Sequence, residues 1–175
     1  GVTPMRPEQG TMQSRAQAMA ALLEVLTDQP GIICNGFPSR EAQKLADRPT
    51  HFYMIGSMGN AAAIGLGVAL SKPSKKVIVF DGDGNVLMGM GTLATVGALR
   101  PKNFVHVVFD NEVYGSTGNQ PTISNVVQLE KVAKAAGYVA VERVLDREDL
   151  VYEFKDMLKN DGPSMLLVKV NEFVE

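Results

Sequence analysis

Two short and almost entirely apolar runs constrain the fold of this chain more than any other feature of its sequence. They are Val77–Phe80 and Phe104–Phe109, and only His106 interrupts the second run. A strand without a polar face has to be covered on both sides, which is typical of central strands in a parallel sheet. Helical patterns alternate with such runs, so we predict an α/β fold in which helices cover both faces of a mainly parallel, six-stranded sheet.

The pattern of apolar residues and turn formers places the individual elements. We predict strands over residues 32–34, 51–55, 77–80, 104–109, 138–141 and 165–170. We predict helices over residues 14–26, 40–46, 60–70, 87–99, 126–136 and 147–158, and loops over 35–38 and 112–122. Residues 1–11 hold two prolines and two glycines and are predicted to be a flexible tail, which leaves residues 12–175 as one domain.

Composition excludes several classes of function. Basic and acidic residues number 17 and 19 and are interspersed, so we expect no nucleic-acid partner. No apolar stretch is long enough for a membrane span, and we expect a soluble, cytoplasmic protein. The single cysteine, Cys34, lies in an apolar run and is interpreted as a buried hydrophobic residue, in keeping with a reducing compartment.

Unusual polar residues follow both apolar runs. Asp81-Gly82-Asp83-Gly84-Asn85 comes after the first and Asp110-Asn111 after the second. Ligands of open α/β sheets bind at the carboxyl ends of the strands, so neighbouring strands would bring Asp83 and Asn111 together. Glycine backbone and the start of the following helix suit a phosphate, and carboxylate and amide oxygens suit Mg²⁺. The pattern predicts a magnesium–diphosphate site, although an isolated Gly-Asp-Gly is more often a tight turn in which Asp caps a helix.

The same residues resemble a known signature. Gly82-Asp83-Gly84, with Asn111 28 positions after Asp83, resembles the motif of enzymes that depend on thiamine diphosphate (ThDP). Upstream, Gly56-Ser57-Met58-Gly59 is similar to the segment that holds the aminopyrimidine ring in those enzymes. The resemblance covers about residues 51–122 and implies the ThDP-binding fold, with Asp83, the Asn111 side chain and the Val113 carbonyl as Mg²⁺ ligands.

The resemblance also implies roles toward the cofactor. Gly84 and Asn85 would donate backbone N–H groups to the diphosphate. Met58 would bend the cofactor and the Gly56 carbonyl would accept a hydrogen bond from its 4′-amino group, which makes these two the candidate catalytic residues. The remaining predicted cofactor-binding residues are Ser57, Gly82, Tyr114, Gly115 and Ser116. Residues 114–120 are also predicted to contact substrate.

Two longer segments narrow the resemblance. Residues 85–95 and 115–122 look like phosphonopyruvate and sulfopyruvate decarboxylases, the second of which is split into two small subunits. This implies a ThDP- and Mg²⁺-dependent decarboxylase of a small 2-oxo acid, in which a pyrimidine-binding α subunit supplies the activating glutamate and the assembly is a hetero-oligomer. Gly89 departs from the pattern, because many relatives are expected to carry His there.

Other interpretations of the sequence stay open. A subunit of this fold could be non-catalytic, or could join two substrates as acetolactate synthase does. Asp81 and Asp83 could form the acidic cluster of a phosphoacceptor domain, although such clusters normally follow the first strand. A dinucleotide-binding domain is disfavoured, because Gly65-Leu66-Gly67 and Gly89-Met90-Gly91 lie inside predicted helices rather than after the first strand.

The chain has two histidines, and only one is a candidate for the site. His106 lies inside an apolar strand, so it is predicted to be a core residue with its hydrogen bonds satisfied. His51 precedes the Gly-Ser-Met-Gly segment and is the better candidate for a position near the site.

Overall fold

The computed structural model describes residues 13–172. The predicted tail, residues 1–11, lies outside this range. The α-helices are α1 Arg15–Val25, α2 Phe37–Ala46, α3 Ala61–Ser71, α4 Asp83–Met88, α5 Gly91–Leu99, α6 Leu129–Ala136 and α7 Arg147–Lys159. The strands are β1 Gly31–Ile33, β2 His51–Tyr53, β3 Val77–Gly82, β4 Phe104–Asp110, β5 Val113–Tyr114, β6 Gln120–Pro121, β7 Ala140–Val144 and β8 Ser164–Lys169. Within the described range, no helix has the length and apolarity needed to cross a membrane.

Six strands form one sheet in the order β2-β1-β3-β4-β8-β7, and every neighbouring pair is parallel. This confirms the predicted α/β fold. β3 and β4 are direct neighbours, with Val77 opposite Phe104 and Gly82 opposite Phe109. The polar segments that follow these two strands therefore lie at the same edge of the sheet.

The sheet separates two apolar cores, because successive side chains of a strand point to opposite faces. On one face Ile78 and Phe80 pack in a cluster with residues of α1 and α7, such as Leu22 and Phe154. On the other face Val77 and Val79 belong to a cluster formed with α3, α5 and α6. The three-layer arrangement predicted from the sequence is thus confirmed, and it leaves the edge at the carboxyl ends of the strands open.

The helix predicted over residues 87–99 is in fact two helices, α4 and α5. α4 begins directly after β3, with Asp83 in its first turn, where a negative charge is favourable. The helix is interrupted at Gly89, where the backbone of another segment packs closely. A Cβ added at Gly89 would lie 2.1 Å from the carbonyl oxygen of Gly59.

Other element boundaries also differ from the prediction. α2 begins at Phe37, inside the predicted loop 35–38, and Pro38 occupies its first turn, where proline needs no hydrogen bond. The polar loop 112–122 contains the antiparallel pair β5–β6. α6 begins at Leu129, three residues later than predicted, and Val126 is 72% exposed rather than part of a helix face in the core.

Candidate active site

One cleft opens at the carboxyl ends of β1, β3 and β4. Most of the predicted cofactor and metal residues line it: Met58, Gly82, Asp83, Gly84, Asn85, Asn111, Val113, Tyr114, Gly115 and Ser116. Gly56 and Ser57 lie in the same loop as Met58 but do not line the cleft. The fold therefore assembles residues from three separate segments of the chain, as the spacing of the motifs predicts.

Asp83 is the most unusual residue of the cleft. Its side chain is 2% exposed, and its Oδ2 accepts hydrogen bonds from the hydroxyls of Thr122 at 2.5 Å and Ser124 at 3.0 Å. Among residues 13–172 no lysine or arginine forms an ion pair with it. Burial, followed by the nearby charge of Asp110, raises its pKa to about 6. The Gly84 backbone N–H also donates to this carboxylate. A buried carboxylate whose described partners are neutral is suited to bind a cation.

The second predicted ligand group lies on the turn after β4. Asn111 Oδ1 accepts a hydrogen bond from the Val113 N–H at 3.2 Å, and an amide oxygen keeps a second lone pair for another partner. In the part of the chain that the structure describes, no three His, Cys, Asp or Glu residues form a metal cluster. The predicted ligands are instead one carboxylate, one amide and one carbonyl, a set of hard oxygen donors that fits Mg²⁺ with phosphate oxygens completing its shell.

The backbone at Gly84 is closely covered by two side chains of the cleft. A Cβ added there would lie 2.5 Å from Cε1 of Tyr114 and 3.3 Å from Cε of Met58. Only glycine fits this position without displacing the Tyr114 ring. Gly84 is in the first turn of α4, where backbone N–H groups have no partner within the helix, and its missing side chain lets the Tyr114 ring and Met58 lie close to the backbone that is predicted to bind the diphosphate.

A hydrogen bond joins the Gly56–Gly59 loop to α4. Asn85 Oδ1 accepts it from the Gly59 N–H at 3.0 Å. The loop bends sharply, with Ser57 at φ 58 and Gly59 at φ 89, both in the left-handed region. These contacts place the Met58 side chain at the cleft, beside the backbone on which the diphosphate is predicted to bind.

Comparison with known proteins agrees with this arrangement. Residues 36–168 match the family described as thiamine pyrophosphate enzyme, C-terminal TPP binding domain, where TPP is another name for ThDP. The chain belongs to this family. The matched residues include every predicted cofactor and metal residue.

Several curated relatives of this chain are named as decarboxylases. Phosphonopyruvate decarboxylase from Streptomyces viridochromogenes is 47% identical over 161 residues, which cover 90% of this chain and 40% of that protein. Sulfopyruvate decarboxylase subunit beta from Methanococcus maripaludis is 44% identical over 157 residues, which cover 89% of this chain and 83% of that subunit. The chain thus spans about two-fifths of the former and most of the latter.

A solved structure shows the same fold. The ThDP-dependent 4-hydroxybenzoylformate decarboxylase of Rhodococcus jostii RHA1 superposes with a TM-score of 0.79 at 21% identity, over 98% of this chain and 35% of that chain. At this level of identity the similarity supports the fold alone.

The TPP-binding domain also has cleft residues that the sequence analysis did not single out. Asn35, Gly36 and Phe37 line the cleft at the end of β1, where α2 begins without a side-chain cap. The rule that ligands bind at the carboxyl ends of strands applies to this segment too, and would have found it. Arg15 also lines the cleft and is held by Glu41 through contacts of 2.7 and 2.8 Å. No local pattern in the sequence links that pair.

Neither of the two histidines lies at the cleft. His106 is confirmed as a core residue: Nε2 is 2.9 Å from Asp81 Oδ2 and Nδ1 is 3.0 Å from the Tyr138 hydroxyl. His51 does not lie at the cleft, contrary to expectation. It begins β2 and pairs with Gly31, the first residue of β1, so it lies at the amino ends of the strands, the opposite edge of the sheet.

Gly89, where many relatives are expected to carry histidine, has no room for a side chain in this structure. The Gly59 backbone fills the space that a side chain would need. A proton-handling role at this position is therefore absent from this chain's described structure.

Proposed function

We propose that this chain is the part of a ThDP- and Mg²⁺-dependent 2-oxo acid decarboxylase that holds the cofactor diphosphate and the metal. The alignment over 83% of a sulfopyruvate decarboxylase beta subunit carries this proposal. Together with the phosphonopyruvate decarboxylase relative, it indicates a small 2-oxo acid with a second acidic group as the substrate.

Each group of cleft residues has a task in this function. Asp83, Asn111 and the Val113 carbonyl hold Mg²⁺, and the backbone of residues 82–85 holds the diphosphate. Met58 and the Gly56 carbonyl orient the aminopyrimidine half of the cofactor, while the loop 114–120 faces the substrate. Bound ThDP supplies the electron sink that allows a 2-oxo acid to lose carbon dioxide, and the protein supplies binding and orientation.

The activating glutamate is proposed to lie outside the described residues, on a partner subunit of the kind that the name of the beta-subunit relative implies. Asp83 is the single carboxylate that lines the cleft in the described residues. Two nearby glutamates are engaged elsewhere: Glu41 binds Arg15, and Glu112 binds Lys169. These pairings support a pyrimidine-binding partner subunit and a hetero-oligomer with the cofactor at the subunit interface.

The test is to purify the protein from its native host with Mg²⁺ and ThDP, and to identify the co-purifying chains by mass spectrometry. We expect a stoichiometric second subunit, bound ThDP and carbon dioxide release from sulfopyruvate or phosphonopyruvate. A product that joins two 2-oxo acids would identify a carboligase instead. An assembly that binds ThDP and releases no carbon dioxide from any 2-oxo acid would indicate a non-catalytic subunit, and one without ThDP would refute the proposal.

A further inference from the structure

A buried lysine lies behind the proposed metal site, at the end of the last strand. Lys169 is 1% exposed, and its Nζ lies 2.9 Å from Asp110 Oδ2 and 2.7 Å from Glu112 Oε1. A buried ammonium group is costly unless carboxylates compensate it, and here two do so. These carboxylates belong to the residues on either side of Asn111.

The position of Lys169 follows from the sheet. β4 and β8 are parallel neighbours, and their register places Lys169 opposite Asp110. Glu112 follows at φ 61, in the left-handed region that is unfavourable for a residue with a side chain. Such a conformation persists where surrounding contacts hold it, and the contact with Lys169 is one of them. The turn that Glu112 makes determines where Asn111 and Val113 face.

A second set of contacts leads from Lys169 to Asp83. Asp110 Oδ1 accepts a hydrogen bond from the Ser124 hydroxyl at 2.8 Å, and the same hydroxyl lies 3.0 Å from Asp83 Oδ2. A serine hydroxyl has one proton and can donate to either carboxylate in turn. Lys169 therefore contacts the residues on either side of Asn111 directly, and it is connected to Asp83 through Asp110 and Ser124.

We propose that Lys169 is a positioning residue for the metal site. It fixes the turn that presents Asn111 and Val113 and, through Asp110 and Ser124, the carboxylate of Asp83. The inference rests on the proposed function in one respect: it takes Asp83, Asn111 and Val113 as the Mg²⁺ ligands. Outer residues that orient metal ligands commonly change metal affinity by about 10–100-fold when they are removed.

The test compares Asp110→Asn with the double variant Asp110→Asn/Lys169→Met in the full assembly. Loss of Lys169 alone would leave two buried carboxylates, whereas the double variant leaves only Glu112, whose side chain is 18% exposed and can turn to water. In both variants the amide that replaces the Asp110 carboxylate can form a hydrogen bond with the Ser124 hydroxyl, as donor where its oxygen faces Lys169 and as acceptor where Lys169 is absent, so the difference between them reports on Lys169. Mn²⁺ affinity is measured by electron paramagnetic resonance in the presence of ThDP, and thermal unfolding is measured without metal.

We expect the double variant to bind Mn²⁺ at least tenfold more weakly than Asp110→Asn, while both unfold cooperatively at similar temperatures. Raised Mg²⁺ should restore carbon dioxide release. Equal Mn²⁺ affinities would show that Lys169 contributes to stability alone, and would overturn the inference. A wild-type assembly that binds no Mn²⁺ with ThDP would overturn the metal site itself, and the inference with it.

Ser124→Ala gives a second test that changes no charge. It removes the hydroxyl between Asp110 and Asp83, and we expect weaker Mn²⁺ binding together with a modest fall in the metal-free unfolding temperature, because two buried carboxylates lose a hydrogen-bond partner. Unchanged binding would overturn the part of the inference that concerns Asp83.

Discussion

Asp83 is buried in a place that disfavours its charge. Its pKa is raised from 3.8 to about 6, so the folded protein binds a proton more tightly than the unfolded chain does. The free energy of unfolding of the metal-free protein should therefore fall as the pH rises from about 4 to about 6. Above that range the cost of burying the ionised carboxylate is fully present and no longer changes with pH. A bound cation would offset this penalty, which couples the metal to the stability of the cleft.

Asp83→Asn separates the cost of burying the charge from the stabilisation by a bound cation. The neutral amide can still accept hydrogen bonds from Thr122 and Ser124, so at pH 7.5 we expect the metal-free variant to be more stable than wild type, by on the order of 3 kcal/mol. Stabilisation by Mg²⁺ with ThDP should be lost. Urea unfolding with and without the ligands measures both quantities.

Asp28→Asn is the matched control for this experiment. Asp28 forms an exposed ion pair with Lys75, and such pairs contribute little. This variant should keep both the wild-type stability and the response to Mg²⁺ and ThDP. If Asp83→Asn also keeps the wild-type response, Asp83 is not a metal ligand.

The candidate site could be predicted from the sequence where its residues follow strands. Asp83 and Asn111 come directly after two apolar runs, and parallel pairing brings such ends together. Arg15 could not be found in this way, because its place in the cleft depends on packing between α1 and α2. The misplacement of His51 has a related cause, since nearness in sequence to the Gly56–Gly59 loop does not say at which edge of the sheet a strand begins.

At the scale of elements, β3 and β4 are joined by a buried side-chain contact as well as by the backbone hydrogen bonds of the sheet. Asp81 on β3 is 2% exposed and its partner His106 on β4 is fully buried, while Tyr138 after α6 binds the other ring nitrogen. Asp81 lies two residues before Asp83, so this contact anchors the strand that ends in the site. Removing one member of such a group leaves the other polar atoms buried without partners.

His106→Leu should therefore destabilise the fold strongly. The variant leaves the Asp81 carboxylate buried without its imidazole partner, and we expect a loss of about 3–5 kcal/mol in the free energy of unfolding. Tyr138→Phe is the control, because it removes one hydroxyl from the same group and should cost only about 1 kcal/mol. Equal losses in urea unfolding for the two variants would contradict the importance of the Asp81–His106 contact.

Most elements could be predicted because their apolar periodicity reflects burial. The six main strands were predicted, although Ala140–Val144 lies two or three residues later than expected. The break between α4 and α5 could not be predicted, since it results from the close approach of the Gly59 backbone to Gly89. The β5–β6 pair was missed because two-residue strands have no periodicity to detect.

On the scale of the whole molecule, the surface around the edge strand β2, beside the cleft, exposes large apolar residues. Ile55 is 98% exposed and directly precedes the Gly56–Gly59 loop, and Phe52 on the edge strand β2 is 52% exposed. Met88, which is 65% exposed, packs against Gly59 in the same loop. Exposed apolar residues next to a polar site commonly mark a protein interface. This surface is where the proposed pyrimidine-binding subunit would bring its glutamate to the cofactor.

Ile55→Glu tests that arrangement. The substitution places a charge where the partner subunit would bury an isoleucine, and we expect at least tenfold weaker association of the two chains, about 1.4 kcal/mol or more. Tyr152→Glu is the matched control, since Tyr152 is 69% exposed on α7, which packs beside β7 and β8 at the other end of the sheet. Sedimentation of the purified assembly over a range of concentrations gives both affinities. Because the cofactor would lie between the chains, ThDP affinity should fall together with association in Ile55→Glu and stay unchanged in Tyr152→Glu, and the reverse result would place the partner on the α7 side.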